Sequence, residues 1–208
     1  MAMKKGQNFN HPPKGAPTKV DPIRELSAIA QIKQDLILAN DNRGHCLFTM
    51  GINLAFRANE LLSLKVGRVR YLNVGDILEL KQSKNKKYRA TPLNRTVVRA
   101  IQFWLACYEA DTGQRLHDEA PLFPSRQGGT LSVPTLWGMV KRWCSDAGLK
   151  GHYGSHTLRK TWGYHQRINY GAPLSLLVEA YGHSSERETL RYLGIEPAEI
   201  SELYAVEL

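Results

Sequence analysis

Six side chains in five short stretches of this sequence could together break a phosphodiester. They are two guanidinium groups, an ammonium group, two imidazoles and a phenol: Arg57, Lys84, His156, Arg159, His183 and Tyr192. Guanidinium groups fork phosphate oxygens and stabilise the charge that develops on them in a transition state. A phenol, with a pKa of about 10, becomes a nucleophile only beside positive charge and a proton acceptor. This set needs no metal ion and no cofactor.

Arg57 lies in the run AFRANEL, where an apolar segment meets a second short one. An isolated arginine at such a place is more often an ordinary surface residue. Glu60, however, follows at a spacing of three, from which its carboxylate can brace a helix around the arginine. We therefore treat Arg57 as a candidate phosphate ligand and Glu60 as its structural support.

The run KQSKNKKYR concentrates positive charge at a predicted hairpin tip; its basic residues are Lys81, Lys84, Lys86, Lys87 and Arg89. Like charges at such a tip repel one another unless an anion neutralises them. A solvated turn is an equally good explanation when the run is considered alone.

His156 and Arg159 lie three residues apart in GSHTLRKTWGYH, so a helix would present both to a single ligand. We expect Ser155 to cap this helix, with Leu158 and Trp162 anchoring its opposite face. A lone H-x-x-R is a weak signal in a basic chain, and the setting is what makes this one specific.

His183 follows Gly182, a predicted helix C-cap, in the run YGHSS. A histidine just past a helix end is often only a capping residue. Here TLRY follows, and it places Tyr192 nine residues after His183.

Together these stretches resemble the catalytic domain of the tyrosine recombinases, also called phage integrases. The resemblance covers residues from about 22 to 208 and keeps the family's order of motifs: A-x-R-x-x-E-L, a hairpin lysine, H-x-L-R, G-H-S-S and T-L-R-Y. It implies that Tyr192 is the nucleophile and that Arg57 and Arg159 clamp the phosphate. His183 would stabilise the same charge, and His156 would be a proton acceptor or a phosphate ligand.

In that family a hairpin lysine protonates the leaving 5′ oxygen, eight residues before the proline that ends the second strand. Counting back from Pro92 selects Lys84. The resemblance also makes other basic residues candidate DNA contacts: Lys81, Lys86, Lys87, Arg89, Lys160 and Arg191.

The implied activity is cleavage of DNA strands through a 3′-phosphotyrosyl intermediate and rejoining to a partner strand, which gives integration, excision or inversion. Expected partners are double-stranded DNA with inverted-repeat sites, further copies of the chain in a homotetramer, and accessory DNA-bending proteins. Two alternatives stay open at this point: a nicking and closing enzyme of type IB topoisomerase chemistry, and a noncatalytic DNA-binding relative. Most family members carry a clamping domain ahead of the catalytic one, and only about 20 residues precede the first predicted helix here.

Composition agrees with a polyanionic partner. The net charge is +9 and the sequence pI about 9.5, and 208 residues with 42% hydrophobic content suffice for one domain. No run of apolar residues is long enough to span a membrane or form a signal peptide, which favours the bacterial cytoplasm and the nucleoid. Cys46, Cys107 and Cys144 stand in apolar contexts and are predicted to be small core residues rather than disulfides or metal ligands.

The predicted fold is mainly α-helical with a small antiparallel sheet (α+β). Residues 1–20 form a flexible basic tail, and 21–208 form the catalytic domain, including a docking tail at 194–208. Asp21 and Pro22 predict the first helix start. Helices are predicted near 22–40, 45–56, 59–64, 94–110, 132–147, 155–169, 173–181, 186–193 and 197–206. The segment 68–92 alternates as strands do, and 111–130 is a predicted loop.

Overall fold

The structure is a computed structural model that describes residues 20–81 and 88–194. Its helices are α1 (Leu26–Leu38), α2 (Asn42–Gly51), α3 (Ala58–Leu62), α4 (Arg95–Thr112), α5 (Val133–Asp146), α6 (Thr157–Ile168), α7 (Leu174–Tyr181) and α8 (Glu186–Leu193). A short 3₁₀ helix covers Val66–Arg68. Strands β1 (Ile77–Lys81) and β2 (Tyr88–Pro92) pair antiparallel, with Ile77 opposite Pro92. The predicted fold class is confirmed.

Most predicted helix boundaries agree with the structure to within two residues, from α4 through α8. Caps explain this accuracy, because the Asn94, Ser132 and Ser185 side chains each accept a backbone N–H of the first turn. Gly182 ends α7 in the left-handed region at φ 63°, as predicted. The predicted helix 197–206 lies outside the described residues, as do the docking tail beyond Gly194 and the basic tail up to residue 19.

The predicted start of α1 at Asp21 is wrong. The Asp21 backbone N–H donates to the His152 carbonyl at 2.7 Å, and its carboxylate accepts from the His152 N–H at 2.9 Å. Asp21 is therefore used to tie the entering chain to the segment before α6. The helix begins at Leu26, one turn later.

The second helix also begins earlier than predicted and ends earlier. The Asp41 side chain accepts from the Gly44 N–H at 2.8 Å and starts α2 at Asn42, and the helix stops at Gly51. The chain then turns through residues 52–57 and delivers Arg57 to the start of α3. Residues 52–56 were predicted to be helical, and they instead form the turn that leads to Arg57.

Two further local predictions are wrong. Residues 68–72 are not a strand, because the Val69 and Arg70 N–H groups donate to the Val66 carbonyl and close turns there. Ser155 does not cap α6; His156 stands at the N-cap without a side-chain cap, and Thr157 Oγ1 instead accepts from the Gly154 N–H at 3.1 Å.

The core has two parts. The larger joins α1 to α5 and includes Phe48, Ile101 and Leu136, each at most 2% exposed. Cys46 and Cys144 are buried there as predicted, and both are free, whereas Cys107 is only partly buried. The smaller cluster consists of Ala55, of Leu177 and Tyr181 from α7, and of Leu193 from α8. No helix in residues 20–81 or 88–194 is long and apolar enough to cross a membrane.

Gly163 lets α6 approach the smaller cluster. A Cβ atom at this position would lie 1.8 Å from Tyr181 Oη and 2.8 Å from Leu193 Cδ2. The Tyr181 hydroxyl needs this space, because it donates to the Arg159 carbonyl at 2.9 Å, one turn away on α6. The packing of α8, which carries Tyr192, therefore depends on the absence of a side chain at 163.

We predict that Gly163→Ala lowers the free energy of unfolding by about 1 to 3 kcal/mol, because overpacking forces Tyr181 and Leu193 apart. Gly138→Ala is the matched control. It adds the same methyl group in α5, where nothing lies within 4 Å, and helix propensity should make it neutral or stabilising by up to ~1 kcal/mol. Urea denaturation measures both, and equal effects would refute the packing role of Gly163.

Candidate active site

Arg57 and Glu60 form a braced pair at the start of α3. Glu60 Oε2 accepts the Arg57 backbone N–H at 2.8 Å, and Oε1 accepts Arg57 Nη1 at 2.9 Å. Burial raises the pKa of the Glu60 carboxyl, but the hydrogen bonds from Arg57 and the charges of Arg89 and Arg57 outweigh it and hold the pKa below its ordinary value. Glu60 therefore stays charged and holds the Arg57 guanidinium in place.

Arg159 projects from the first turn of α6 and is 2% exposed. Its Nη1 donates to the Ala55 carbonyl, and its Nη2 donates to the Tyr181 carbonyl at 2.7 Å. Burial and the charge of Arg57 lower its pKa, and Tyr192 acts in the opposite direction. Two of the five guanidinium N–H groups serve these carbonyls and one bonds to the Tyr192 phenol, which leaves two for an anion.

The phenol of Tyr192 lies beside His156. The two residues are 36 positions apart in the chain, on α8 and at the N-cap of α6, and His156 Nδ1 is 3.4 Å from Tyr192 Oη. Although His156 is an exposed residue overall, desolvation and the positive charges of Arg159, Lys160 and Arg57 lower its pKa. A neutral imidazole at this place can accept the phenol proton.

Competing influences act on the Tyr192 phenol. Burial raises its pKa, whereas the charge of Arg159, a hydrogen bond from Arg159 and the charge of Arg57 lower it, and burial prevails. The phenol is therefore protonated in the free protein. An anion that draws the arginines toward it, together with a proton acceptor, is what this nucleophile requires.

Stacked rings fix His183 next to the phenol. His183 stacks on Tyr181 with ring centroids 4.9 Å apart, and it meets the Tyr192 ring edge-on at 5.1 Å. His183 Nδ1 lies 2.9 Å from Thr189 Oγ1, one turn before Tyr192 on α8. The imidazole is thus held on both sides of its ring by residues of α7 and α8.

The predicted DNA contacts fall in different places. Outside the described residues lie Lys86, Lys87 and the predicted general acid Lys84, as does the side chain of Lys81. Arg191 is exposed on the last turn of α8. Lys160 is only 5% exposed, and its ammonium group lies 5.3 Å from the centre of the Tyr192 ring, so it adds positive charge inside the site. Arg89 is mostly buried behind Arg57 and Glu60.

Sequence reasoning missed three contributors to the site. The carbonyls of Ala55 and Tyr181 hold Arg159, and the Thr189 hydroxyl holds His183. Thr189 could have been found, since it stands in the TLRY run that selected Tyr192. Nothing in the sequence marks a main-chain carbonyl as an arginine ligand.

Comparisons with known proteins agree with this geometry. The model of the phage integrase family matches residues 23–199. The probable integrase/recombinase YoeC of Bacillus subtilis is 34% identical over 180 residues, which cover 85% of this chain and 91% of the relative. The tyrosine recombinase XerD of Shewanella oneidensis is 26% identical over 145 residues, covering 70% of this chain and 44% of the relative.

The fold is also that of solved recombinases. The XerH site-specific recombinase bound to its palindromic difH substrate matches with a TM-score of 0.71 and 24% identity, over 91% of this chain and 52% of that one. The chain therefore belongs to the phage integrase family and has the fold of a tyrosine recombinase catalytic domain. It spans nine-tenths of the Bacillus protein but about half the length of these Xer recombinases.

We predict that Arg159→Met lowers the free energy of unfolding by about 2 to 4 kcal/mol, because it takes a donor away from each of the buried Ala55 and Tyr181 carbonyls. The control is Arg191→Met on the exposed side of α8, which should change stability by less than about 0.5 kcal/mol. Denaturant titration checks both variants. A neutral Arg159→Met would show that the two carbonyl bonds do not hold the site together.

Proposed function

We propose that this chain is a site-specific DNA recombinase that cuts and rejoins DNA strands through Tyr192. One observation carries the proposal: the Tyr192 phenol lies 3.4 Å from His156 Nδ1, beside two arginines that are braced by other groups. Neither Arg57 nor Arg159 is placed as a simple surface charge. The family membership supports the same reaction.

The proposed reaction consists of two successive transesterifications at the scissile phosphorus. Tyr192 Oη attacks the scissile phosphorus, His156 takes the phenol proton, and the bond from phosphorus to the 5′ oxygen breaks. Lys84 gives a proton to that oxygen, which leaves as a 5′ hydroxyl, and a 3′-phosphotyrosyl bond remains. A 5′ hydroxyl from another strand then gives its proton to Lys84 and attacks phosphorus, the bond from phosphorus to Tyr192 Oη breaks, and the phenol recovers its proton from His156. Arg57, Arg159 and His183 stabilise the charge on the nonbridging oxygens in both exchanges.

The substrate proposed for this chain is double-stranded DNA with inverted-repeat sites, by analogy with the palindromic substrate of XerH. A palindromic site offers two equivalent half-sites, so two protomers occupy it with two-fold symmetry. Two paired sites then need a tetramer, and accessory DNA-bending proteins would bring distant sites together. The proposed place of work is the bacterial nucleoid in the cytoplasm, on chromosomal or mobile DNA. The predicted contacts Lys81, Lys86, Lys87 and Arg191 would bind the DNA backbone.

Nicking and closing without partner exchange is the alternative that shares this chemistry. The relatives named above are recombinases and integrases, and none is a topoisomerase. Exchange between two sites carrying different labels separates the two activities. Recombinant products with both labels support the proposal, and relaxation of supercoils without any such product would replace it by the topoisomerase activity.

We predict that Tyr192→Phe abolishes the covalent complex on a nicked suicide substrate while DNA binding stays unchanged. The substitution removes the nucleophilic oxygen and keeps the ring that packs against Tyr181 and His183. A denaturing gel measures the adduct, and a mobility shift measures binding. Tyr170→Phe is the control, because Tyr170 is 70% exposed and should lose nothing. An adduct that persists in Tyr192→Phe would assign the nucleophile to another residue.

We also predict that single-turnover cleavage falls on the acid side with a midpoint below about pH 6.5, the ordinary pKa of histidine. The pKa of His156 is lowered, so its neutral, proton-accepting form persists to more acidic pH. His156→Gln should be slower and should lack this acid limb. An unchanged acid limb in His156→Gln would mean that a different group, such as His183, accepts the proton.

A further inference from the structure

Arg89 lies on β2, next to the hairpin tip, but its guanidinium turns inward. The side chain is 10% exposed, and Nη1 donates to the Ala55 carbonyl at 3.1 Å. The same guanidinium lies 3.9 Å from Glu60 Oε2 and 5.8 Å from the centre of the Phe56 ring. Arg89 thus lies against Ala55 and Phe56, which precede Arg57 in the chain. It also lies near Glu60, which hydrogen-bonds to Arg57.

Ala55 has an unusual backbone. Its φ is 54°, in the left-handed region that disfavours residues with a Cβ atom by roughly 1 to 2 kcal/mol, and the residue is 3% exposed. This conformation turns the Ala55 carbonyl toward two arginines, because Arg89 and Arg159 both donate to it. Arg57 follows two residues later. One carbonyl oxygen therefore links the strand, α6 and the segment that carries Arg57.

The position of Arg89 is costly for the folded protein. Burial, and next the charge of Arg159, lower its pKa to about 10, although Glu60 acts in the opposite direction. Its Nε and Nη2 are buried without a hydrogen-bond partner among residues 20–81 and 88–194. Arg57 and Arg89 share the buried Glu60 carboxylate, and the charges of Arg57 and Arg159 both act against that of Arg89, so stability alone does not explain this arrangement.

We propose that Arg89 is a positioning residue for strand cleavage rather than a contact to the DNA backbone. Its Nη1 donates to the Ala55 carbonyl and lies 3.9 Å from the Glu60 carboxylate, and this fixes Arg57 and Arg159 relative to each other before DNA binds. Preorganised charge at the scissile phosphate is worth more than charge that must be gathered during the reaction. The inference rests on the proposed function, because it assumes that Arg57 and Arg159 clamp that phosphate.

The test compares Arg89→Met and Arg89→Lys with the unmodified protein in single-turnover cleavage and in binding. We expect Arg89→Met to cleave about 100-fold more slowly at saturating DNA, since small displacements of catalytic groups cost about that much. Arg89→Lys keeps the charge but replaces the rigid, planar guanidinium by a flexible ammonium group, which cannot hold the Ala55 carbonyl and Glu60 in one fixed geometry, and it should lose about 10-fold. Binding affinity should change less than about threefold, and its salt dependence should not change.

Two modified substrates identify the step that Arg89 serves. A methylphosphonate at the scissile position carries no charge, so it needs the arginines less and should shrink the defect of both variants. A 5′-phosphorothiolate replaces only the leaving oxygen, so it should restore Lys84→Ala and leave the Arg89 defect in place. Restoration of the Arg89 variants by the phosphorothiolate would overturn the inference, because Arg89 would then act through the leaving group.

Arg68→Met is the matched control, since Arg68 also donates to a main-chain carbonyl of the sheet, that of Glu79 at 2.8 Å. It should cleave normally. Weaker binding by the Arg89 variants, with a salt slope smaller by about one and normal cleavage at saturation, would assign Arg89 to the DNA backbone. If Arg89→Met unfolds, Arg89→Lys alone decides, and full activity in it overturns the inference. No adduct from the unmodified protein would overturn the proposed function itself.

Discussion

The site depends on the two main-chain carbonyls that hold Arg159. One comes from Ala55, in the turn between α2 and α3, and the other from Tyr181, at the end of α7. Because Arg159 itself stands on α6, a single guanidinium fixes three separate parts of the chain. Arg159 is 2% exposed and is held by two carbonyls, so it has little freedom to move. Its other N–H groups therefore point in a fixed direction. The charge needed for phosphate chemistry is therefore part of the packed interior.

The same interior places the nucleophile. Tyr181 lies at the centre of the smaller cluster: its hydroxyl donates to the Arg159 carbonyl, its ring stacks on His183, and its edge meets Tyr192. Gly163 makes room for it on α6. Arg159, His183 and Tyr192 thus all contact one buried side chain, that of Tyr181. Displacement of α8 would move Tyr192 away from His156 and would at the same time loosen the stacking of His183. The position of the nucleophile is therefore coupled to the positions of the groups that it requires.

The sequence predicted the helices from α4 onward well, because side-chain caps and glycines mark their ends locally. It failed at Asp21 and Ser155, where long-range hydrogen bonds to His152 and a different local bond at Thr157 replaced the expected caps. The motifs selected residues that the structure brings together, such as His156 and Tyr192. They could not reveal the left-handed Ala55 or the inward turn of Arg89, because a basic run gives no sign of which member is buried. Both depend on partners distant in the chain.

The preorganisation of the site is tested most directly by a structure of the protein on its DNA site with vanadate in place of the scissile phosphate. Vanadate adopts the five-coordinate geometry of the transition state. We expect Tyr192 Oη at one apical position, Arg57 and Arg159 on the equatorial oxygens, and Arg159 still bonded to the Ala55 and Tyr181 carbonyls. Arg89 should stay off the vanadate. A different apical residue, or an Arg159 that abandons both carbonyls to reach the vanadate, would contradict the claim that the site is preorganised by its packed interior.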